Sequence, residues 1–359
     1  MRKILYIAPE NVVGNLNLWQ KIHRSRGNEC RYITYFPSVF GFPDDICLNL
    51  PLVAPQLWFL KFRKWIYSRD GGPDPTVELD GIPPIWQPGS RLISTFFKGR
   101  DRLWRYWVEP AIQHYNLLDF DIIHLETGLE FYRNGSFVQR AVDRGIPVLN
   151  TFHGIELRHR GVIPAIDEHI RMNFTSELDL LIRHPKIRYL FLPADLHQFR
   201  PNNELHDPIT ICHATRNRHF KGSDQIIAVG RKLEEEMGIR FLLIENCSHD
   251  ETLRLKQQAD IYIDQITNVA PGYGMNSIEA MAMGQVCCAN IDTEYQAFLP
   301  DHPFVHVTPE SLETKLRELL ADPKNLGRLA QRSKNWVGQR HSLQAVGDQL
   351  YQYYQELQV

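Results

Sequence analysis

Short apolar runs that predict β-strands alternate along most of the chain with segments whose apolar residues recur at helical spacing. Near the N-terminus, an apolar run ending at Pro9 predicts a strand, and Leu18 to Ile22 a helix that ends before the second strand, Tyr32 to Phe36. Gly14 lies in the loop between that first strand and the helix. This is the opening of a doubly wound domain, in which such a glycine lets the backbone approach a ligand closely. A plain turn is the alternative interpretation.

The alternation becomes regular after Asp119. The pattern predicts strands at 121–125, 147–152 and 189–192, and helices at 137–144 and 165–183. Strands that alternate with helices indicate a parallel sheet, and residues just past the strand ends of such a sheet line its ligand crevice. Glu126 and His153 are predicted there. A lone histidine also suits a structural role, but the adjoining Gly154, Glu156 and Arg158 favour a functional one.

A proline-rich stretch at 193–208 predicts a linker, after which the alternation starts again. Strands are expected at 209–213 and 240–245, with a helix at 224–237 between them. The loop after the first of these strands carries Arg216, Arg218 and Lys221. Cations beside a strand end and ahead of a helix suit a diphosphate. An exposed basic loop without a ligand is the alternative.

The stretch from Pro271 to Gly284 lies between two short apolar strands, 261–264 and 286–289. Its glycines predict a loop, and Asn276 or Ser277 is expected to cap a helix that ends at Gly284. A glycine loop that leads into a helix directs backbone N–H groups and the positive end of the helix dipole at a ligand, which favours phosphate. Glu279, one turn into the helix, is then placed to accept hydrogen bonds from a ribose; a plain turn with a solvated glutamate is the alternative.

Aromatic and basic residues are interleaved between about 37 and 118, a segment that holds five of the seven tryptophans. Two helices are predicted there, one at 57–67 with Trp58 and Trp65, and one containing Leu103, Trp104, Trp107 and Val108. A basic and aromatic amphipathic helix is suited to a membrane interface with anionic lipid. Packing of both helices on their own domain is the alternative.

Length and composition narrow the classes of protein. A chain of 359 residues favours two domains, and a formal net charge of −2 argues against bulk binding of nucleic acid. The six cysteines have neither the spacing of zinc sites nor that of a disulfide framework. No apolar run is long enough for a transmembrane helix, so a cytoplasmic location is expected. An apolar stripe from Leu343 to Leu357 predicts a terminal helix that packs on another element.

Taken in order, these motifs resemble the retaining GT-B glycosyltransferases of the large family, similar to glycosyltransferase family 4, that includes bacterial polysaccharide and glycolipid enzymes. Four stretches, together spanning about 120 to 290, carry the resemblance. They are His153-Gly154-Ile155-Glu156, the interdomain segment Leu192 to Pro201, the run from His213 to Gly222 with its arginine and Lys-Gly, and the glycine loop with its glutamate from Gly272 to Gly284.

The resemblance implies a GT-B fold, with two Rossmann-like doubly wound α/β domains facing a central crevice and a C-terminal helix that crosses back to the first domain. The acceptor-side domain is expected at 1–195, with the aromatic and basic insertion at about 56–110. The nucleotide-sugar-binding domain is expected at 205–340, and the terminal helix at 341–359, packed on the first domain.

The resemblance also implies a function. It identifies a glycosyltransferase, of the hexosyltransferase type, that moves a sugar from a nucleotide diphosphate sugar to a carbohydrate or lipid-linked acceptor with retention of configuration, in polysaccharide or glycolipid synthesis. Neither a cofactor nor a metal ion is expected, and nucleic acid is not an expected partner. Peripheral contact with the inner face of the cytoplasmic membrane through 56–110 is a further hypothesis.

The resemblance gives particular positions a role. Arg216 and Lys221 are expected to neutralise the donor diphosphate, and His153 to contact the donor sugar near the reacting carbon. Gly14 would let the first domain close over the diphosphate. The remaining donor-binding positions are expected to hold phosphate, sugar hydroxyls and ribose, and they are Gly272, Tyr273, Gly274, Met275, Asn276 and Glu279.

One position departs from the family pattern. The family has a first glutamate eight residues before the second, and Pro271 stands in its place here. Two alternatives to a transferase stay open, of which this departure favours only the second. The first is a nucleotide-sugar epimerase of similar fold, which would use a set of acid and base side chains. The second is a non-catalytic, nucleotide-sugar-binding partner of another transferase.

Overall fold

A computed structural model describes residues 1–39, 41–53, 81–154, 156–202, 204–216, 218–268 and 272–359. The predicted helix at 57–67, with Trp58 and Trp65, lies outside the described residues, and so does Pro271. The described structure divides into two compact units. Met1–Phe191 and Gly347–Val359 form the first unit, and Leu192–Val346 forms the second.

The first unit is built on a parallel sheet. Seven strands are described there, in the order β3-β2-β1-β4-β5-β6-β7. They are β1 Lys3–Ala8, β2 Glu29–Thr34, β3 Ile46–Cys47, β4 Ile122–Glu126, β5 Val148–Phe152, β6 Ile170–Thr175 and β7 Ile187–Tyr189. The order reverses between β1 and β4, as in the doubly wound dinucleotide-binding fold, where the point of reversal is the ligand site.

Helices join most of these strands, because apolar residues at helical spacing give each connection a face to bury. The α-helices described between the strands are Asn15–Ser25, Arg91–His114, Ser136–Val142 and Pro164–Asp167, with single turns at Val12–Gly14, Glu156–Arg160 and Leu178–Leu180. The helix Arg91–His114 buries Trp104 and Val108 in the core. The Trp104 ring nitrogen donates to the Pro51 carbonyl at 2.8 Å. These two residues therefore pack on their own unit.

The prediction of a helix over 165–183 is wrong. That segment contains a single helical turn at Pro164–Asp167, the strand β6 and a 3-10 turn at Leu178–Leu180. β6 pairs with β5 on one side and β7 on the other. Its β-branched and aromatic residues suit an inner strand, and pairing on both sides outweighs the helical spacing of the local apolar residues.

The C-terminal helix Leu343–Glu356 contributes its last part to the first unit. The Tyr354 hydroxyl is 2.6 Å from His124 Nε2, and both side chains are buried. The Gln349 amide donates to the Tyr189 carbonyl at 2.9 Å. Tyr354 of the apolar stripe is therefore buried beside β4, and Gln349 bonds β7.

The second unit has its own parallel sheet. Among its described residues five strands follow the order β12-β11-β10-β8-β9. They are β8 Thr210–Ala214, β9 Arg240–Ile244, β10 Ile261–Ile263, β11 Val286–Ala289 and β12 Val305–His306. Read from β9, this is the flavodoxin-like order, and its switch point lies between β8 and β10.

The helices of the second unit follow the strands in alternation. Those described are Arg218–Lys221, Ser223–Met237, His249–Lys256, Met275–Ala282, Thr293–Phe298, Leu312–Ala321 and Pro323–His341, with a 3-10 turn at Leu196–Gln198. The four strands at 209–289 and the helices Ser223–Met237 and Met275–Ala282 match the sequence pattern within one or two residues, whereas the helices Arg218–Lys221 and His249–Lys256 are not among those predicted. A separate apolar core fills this unit, centred on β8, β10 and β11. Among the described helices of the chain, none has the length and apolar character needed to cross a membrane.

Candidate functional site

Lys221 lies at the switch point of the second sheet. It follows β8 by way of the single turn Arg218–Lys221, and its ammonium reaches across to the end of β10. Lys221 Nζ is 2.5 Å from Asp264 Oδ1 and 3.1 Å from the Ala214 carbonyl oxygen. The side chain keeps 20% of its surface exposed, whereas that of Asp264 keeps 6%. An accessible cation therefore stands at the edge where ligands bind in open parallel sheets.

The two arginines of the same loop differ in their surroundings. Arg218 forms a forked ion pair with Glu245, at 2.8 and 2.6 Å, and both charges face solvent at least in part. Glu245 follows β9, so this pair ties the basic loop to the neighbouring strand end. Arg216, the position predicted to bind diphosphate, is exposed.

The glycine loop lies beside Asp264. Gly272 has a φ of +110°, and a Cβ there would lie 2.6 Å from the Tyr295 ring, so both backbone and space require glycine. Its amide donates to the Asn290 carbonyl at 2.9 Å, and its own carbonyl accepts from Gln265 at 3.1 Å. The next residue, Tyr273, places its ring against Phe304 and Trp336. The loop is therefore fixed at one end.

The helix after this loop, Met275–Ala282, begins one or two residues earlier than its predicted cap. Gly274 precedes it in extended conformation and no side chain caps it, so the assignment of Asn276 or Ser277 as the cap is wrong. The Ser277 hydroxyl instead donates to Asp264 Oδ2 at 2.5 Å. A hydrogen bond to an ionised carboxylate is stronger than one between a hydroxyl and a backbone amide, so the Ser277 hydroxyl bonds Asp264 instead of capping the helix.

Glu279 is buried and held by two side chains of one helix, Lys256 and His249. Its Oε2 is 2.8 Å from Lys256 Nζ, and its Oε1 is 2.9 Å from His249 Nε2. Those two residues are the last and the first of the helix His249–Lys256. The glutamate predicted to bind ribose is therefore a fixed carboxylate, and its side chain keeps 7% of its surface exposed.

Both buried carboxylates of this edge are ionised. Burial alone would raise the pKa of Asp264, but the charge and hydrogen bond of Lys221 and the hydrogen bond of Ser277 hold it below the ordinary value. Burial likewise opposes ionisation of Glu279, and Lys256 and His249 overcome it, so its pKa is also lowered. The site thus combines two lysines with two carboxylates, which places opposite charges next to each other in a region of low dielectric.

Three of these residues are absent from the set predicted from sequence. Asp264 stands directly after a strand, which is a usable signal, because strand ends line the ligand edge. Lys256 and His249 carry no such signal. A lysine in the last turn of a helix is normally solvated, and only the fold brings Lys256 under the glycine loop.

In the first unit the predicted residues lie at the carboxyl ends of β1, β4 and β5. His153 follows β5, and its Nε2 bonds Glu126 Oε2 at the end of the adjacent strand β4. The other Glu126 oxygen has no hydrogen-bond partner in the described structure. The His153 side chain keeps 32% of its surface exposed and that of Glu126 keeps 5%. An accessible imidazole therefore rests on a buried carboxylate.

The loop after His153 is also held by charges. The His153 amide donates to Glu156 Oε1, and Arg158 pairs with Asp179 at 2.7 and 2.5 Å and with Glu177 at 3.0 Å. Burial alone would lower the pKa of His153. The charge and hydrogen bond of Glu126, with the charges of Glu156 and Glu177, instead raise it to about 9. His153 is therefore an imidazolium at neutral pH.

Gly14 lies after β1, on the other side of the switch point of the first sheet from Glu126. It precedes the helix Asn15–Ser25 with a φ of +72°, in the left-handed region. A Cβ there would meet the Phe42 ring at 2.9 Å. The position therefore requires glycine for its backbone and for the close packing of Phe42.

Among the described residues there is no group of three or more histidine, cysteine, aspartate or glutamate side chains that could hold a metal ion.

Comparisons with known proteins place the fold. No family model matches the chain, and no curated protein matches it in sequence. Solved structures do match it over nearly their whole length. Sucrose-phosphate synthase from Thermosynechococcus elongatus is 15% identical, with 99% of each chain covered and a TM-score of 0.57. A glycosyltransferase from Rickettsia africae is 14% identical, with 99% of this chain and 98% of that chain covered and a TM-score of 0.57.

A third match comes from a different class of enzyme. A putative UDP-N-acetylglucosamine 2-epimerase from Listeria monocytogenes is 12% identical, with 98% of this chain and 94% of that chain covered and a TM-score of 0.50. Matches to solved structures at 12 to 15% sequence identity establish the fold alone. With its two parallel α/β sheets and these matches along its full length, the chain has the GT-B fold.

Proposed function

We propose that the protein is a glycosyltransferase that takes a sugar from a nucleotide diphosphate donor. The observation that carries the proposal is the constellation at the switch point of the second sheet, where Lys221, the Gly272 loop, the start of the helix Met275–Ala282 and Glu279 adjoin each other. A cation and a helix N-terminus suit the diphosphate, and a fixed carboxylate suits the two ribose hydroxyls. The glycosyltransferase among the matching structures supports the same class of reaction.

The chemistry that the proposal assigns to these residues is leaving-group stabilisation. Cleavage of a sugar–phosphate bond leaves charge on the diphosphate and an oxocarbenium-like sugar, so fixed positive charge at the phosphate lowers the barrier. Lys221 and Arg216 supply that charge, and the backbone N–H groups of Met275 and Asn276 add to it. Asp264 holds the Lys221 ammonium in place before the donor arrives.

His153 is assigned to the reacting sugar. Because its Nε2 bonds Glu126, the imidazolium presents Nδ1–H as a hydrogen-bond donor for a sugar oxygen. We propose transfer with retention of configuration and without a protein nucleophile, onto a carbohydrate or lipid-linked acceptor in polysaccharide or glycolipid synthesis. Side chains and helix dipoles supply the charge that a metal ion supplies in other transferases, so the proposed reaction is independent of metal.

Two alternatives make different predictions. A nucleotide-sugar epimerase, the class named for the Listeria structure, would interconvert donor sugars without any acceptor. A non-catalytic partner of another transferase, suggested by Pro271 in place of the first motif glutamate, would bind the donor without turning it over.

The first prediction concerns the donor. With UDP-, GDP- and ADP-sugars in the presence of EDTA, we expect one nucleotide to raise the melting temperature and to release free sugar slowly. Lys221→Ala should abolish both effects, because it removes the cation at the phosphate, whereas Lys324→Ala, an exposed lysine of the helix Pro323–His341, should change neither. Binding without hydrolysis, even with membrane extract as an acceptor source, would support the partner alternative, and a changed sugar in place of a released one would support the epimerase.

The second prediction concerns pH. The imidazolium of His153 persists up to its raised pKa of about 9, so kcat/KM should fall as pH rises through that value. In Glu126→Gln the carboxylate charge that raises the pKa of His153 is lost, while burial still lowers that pKa. The pH at which kcat/KM falls should therefore decrease by at least about one pH unit. Histidine NMR titration reports the same shift directly, with His153→Gln identifying the signal. An unchanged pH dependence in Glu126→Gln would contradict the assignment.

We also propose peripheral membrane contact through the helix Arg91–His114. Exposed apolar residues lie on the side of this helix away from the core. They are Leu92, 81% exposed, Tyr106, 78% exposed, and Trp107, 42% exposed. At 3.6 residues per turn these three lie within one arc of about 100°. Arg102 and Arg105 are exposed outside that arc. An apolar arc flanked by cations suits an interface with anionic lipid.

Flotation with vesicles tests this contact. We expect binding to phosphatidylglycerol-containing vesicles and none to neutral phosphatidylcholine vesicles, with a loss of several-fold in Tyr106→Ala/Trp107→Ala. A matched control is Tyr115→Ala, which removes a partly exposed aromatic residue just past the helix. Equal binding by the double variant and the wild type would rule out this face of the helix as the contact.

A further inference from the structure

We infer that Lys256, together with His249, is a positioning residue for ribose recognition, acting through Glu279. The inference rests on the proposed function of the glycine loop. It concerns two residues that neither the sequence motifs nor the proposed chemistry uses.

Lys256 is entirely buried, with 0% of its side chain exposed. A buried ammonium is costly unless all of its protons have partners. Here Nζ lies 2.8 Å from Glu279 Oε2, 2.8 Å from the Asn276 carbonyl oxygen and 3.3 Å from Asn276 Oδ1. It also lies 4.8 Å from the centre of the Tyr262 ring. The ammonium is therefore fully satisfied by the start of the helix Met275–Ala282 and by its glutamate.

His249 bonds the second oxygen of the same carboxylate. Its Nε2 is 2.9 Å from Glu279 Oε1, and 36% of its side chain is exposed. The two residues are seven positions apart on one helix, which is two turns, so they lie on the same face. One rigid helix thus sets the position and the rotation of the carboxylate. Each carboxylate oxygen accepts more than one hydrogen bond, so lone pairs stay available for two hydroxyls.

The charge of Lys256 has a second consequence. The proposed ligand carries a diphosphate, and a bare buried carboxylate near that diphosphate would repel it. Pairing with Lys256 neutralises Glu279 without using its remaining lone pairs. The same ammonium bonds the Asn276 carbonyl, so the carboxylate and the backbone expected to hold phosphate are fixed by one atom. Ribose recognition and phosphate binding are therefore linked through Lys256.

The test compares a nucleoside diphosphate, the one that binds the wild type best among UDP, GDP and ADP, with its 2′,3′-dideoxy analogue, by calorimetry. The readout is the ratio of the two dissociation constants. We expect the wild type to prefer ribose, and Lys256→Met to reduce that preference by about 10-fold or more, since hydrogen bonds to charged groups contribute on that scale. His249→Gln, at a partly exposed site, should reduce it several-fold. Lys324→Met serves as the matched control and should leave it unchanged.

Action through Glu279 has its own signature. In Glu279→Gln/Lys256→Met the ribose preference should be no lower than in Glu279→Gln alone, because the two changes remove one interaction. An equal loss of affinity for both ligands in Lys256→Met and in His249→Gln would mean a purely structural role and would overturn the inference. If Lys256→Met fails to fold, His249→Gln decides alone. A wild type that binds none of the nucleotides would refute the proposed function. Nucleotide binding with a ribose preference that is unchanged in both variants would overturn the inference and leave the proposed function standing.

Discussion

Four charges at the carboxyl edge of the five-stranded sheet constrain the whole candidate site. Lys221 pairs with Asp264, and Lys256 pairs with Glu279. A charge removed from water needs an opposite charge and further hydrogen bonds, and removal of one partner leaves the other exposed to the full cost of desolvation. The segments that carry these four residues therefore have little freedom to move independently.

The parallel sheet makes this arrangement possible. The carboxyl ends of neighbouring parallel strands lie at one edge of the sheet, so strand pairing alone brings together the residues after β8 and β10. Gly272 lets the chain turn against Tyr295 into the short helix that carries Glu279. In the first unit the same logic places His153 on Glu126, one strand end beside the next. In both units an accessible cation rests on a buried carboxylate, so the cation is oriented before any ligand binds.

Much of the fold is predictable from the sequence. Strands β8 to β11 of the second unit and the helices Ser223–Met237 and Met275–Ala282 follow from short apolar runs and helical spacing. The positions of Gly14, His153 and Lys221 after strands follow from the alternation. The segment 165–183 is predicted wrongly, because β6 owes its conformation to pairing with β5 and β7 and only in part to its own residues. The same holds for the cap at Ser277, whose hydroxyl bonds Asp264. Lys256 is the clearest example of what the sequence cannot predict, because its ion pair needs a partner 23 residues away that only the tertiary structure brings close.

The central claim is that a nucleotide diphosphate binds at the carboxyl edge of the second sheet. Hydrogen–deuterium exchange with and without a saturating nucleoside diphosphate tests it most directly, because slowed exchange locates the bound ligand on the chain. The account predicts protection in peptides that cover 214–222 and 272–279, with the helix Leu312–Ala321 unchanged. Saturable binding that leaves both of those segments unprotected, and protects others instead, would contradict it.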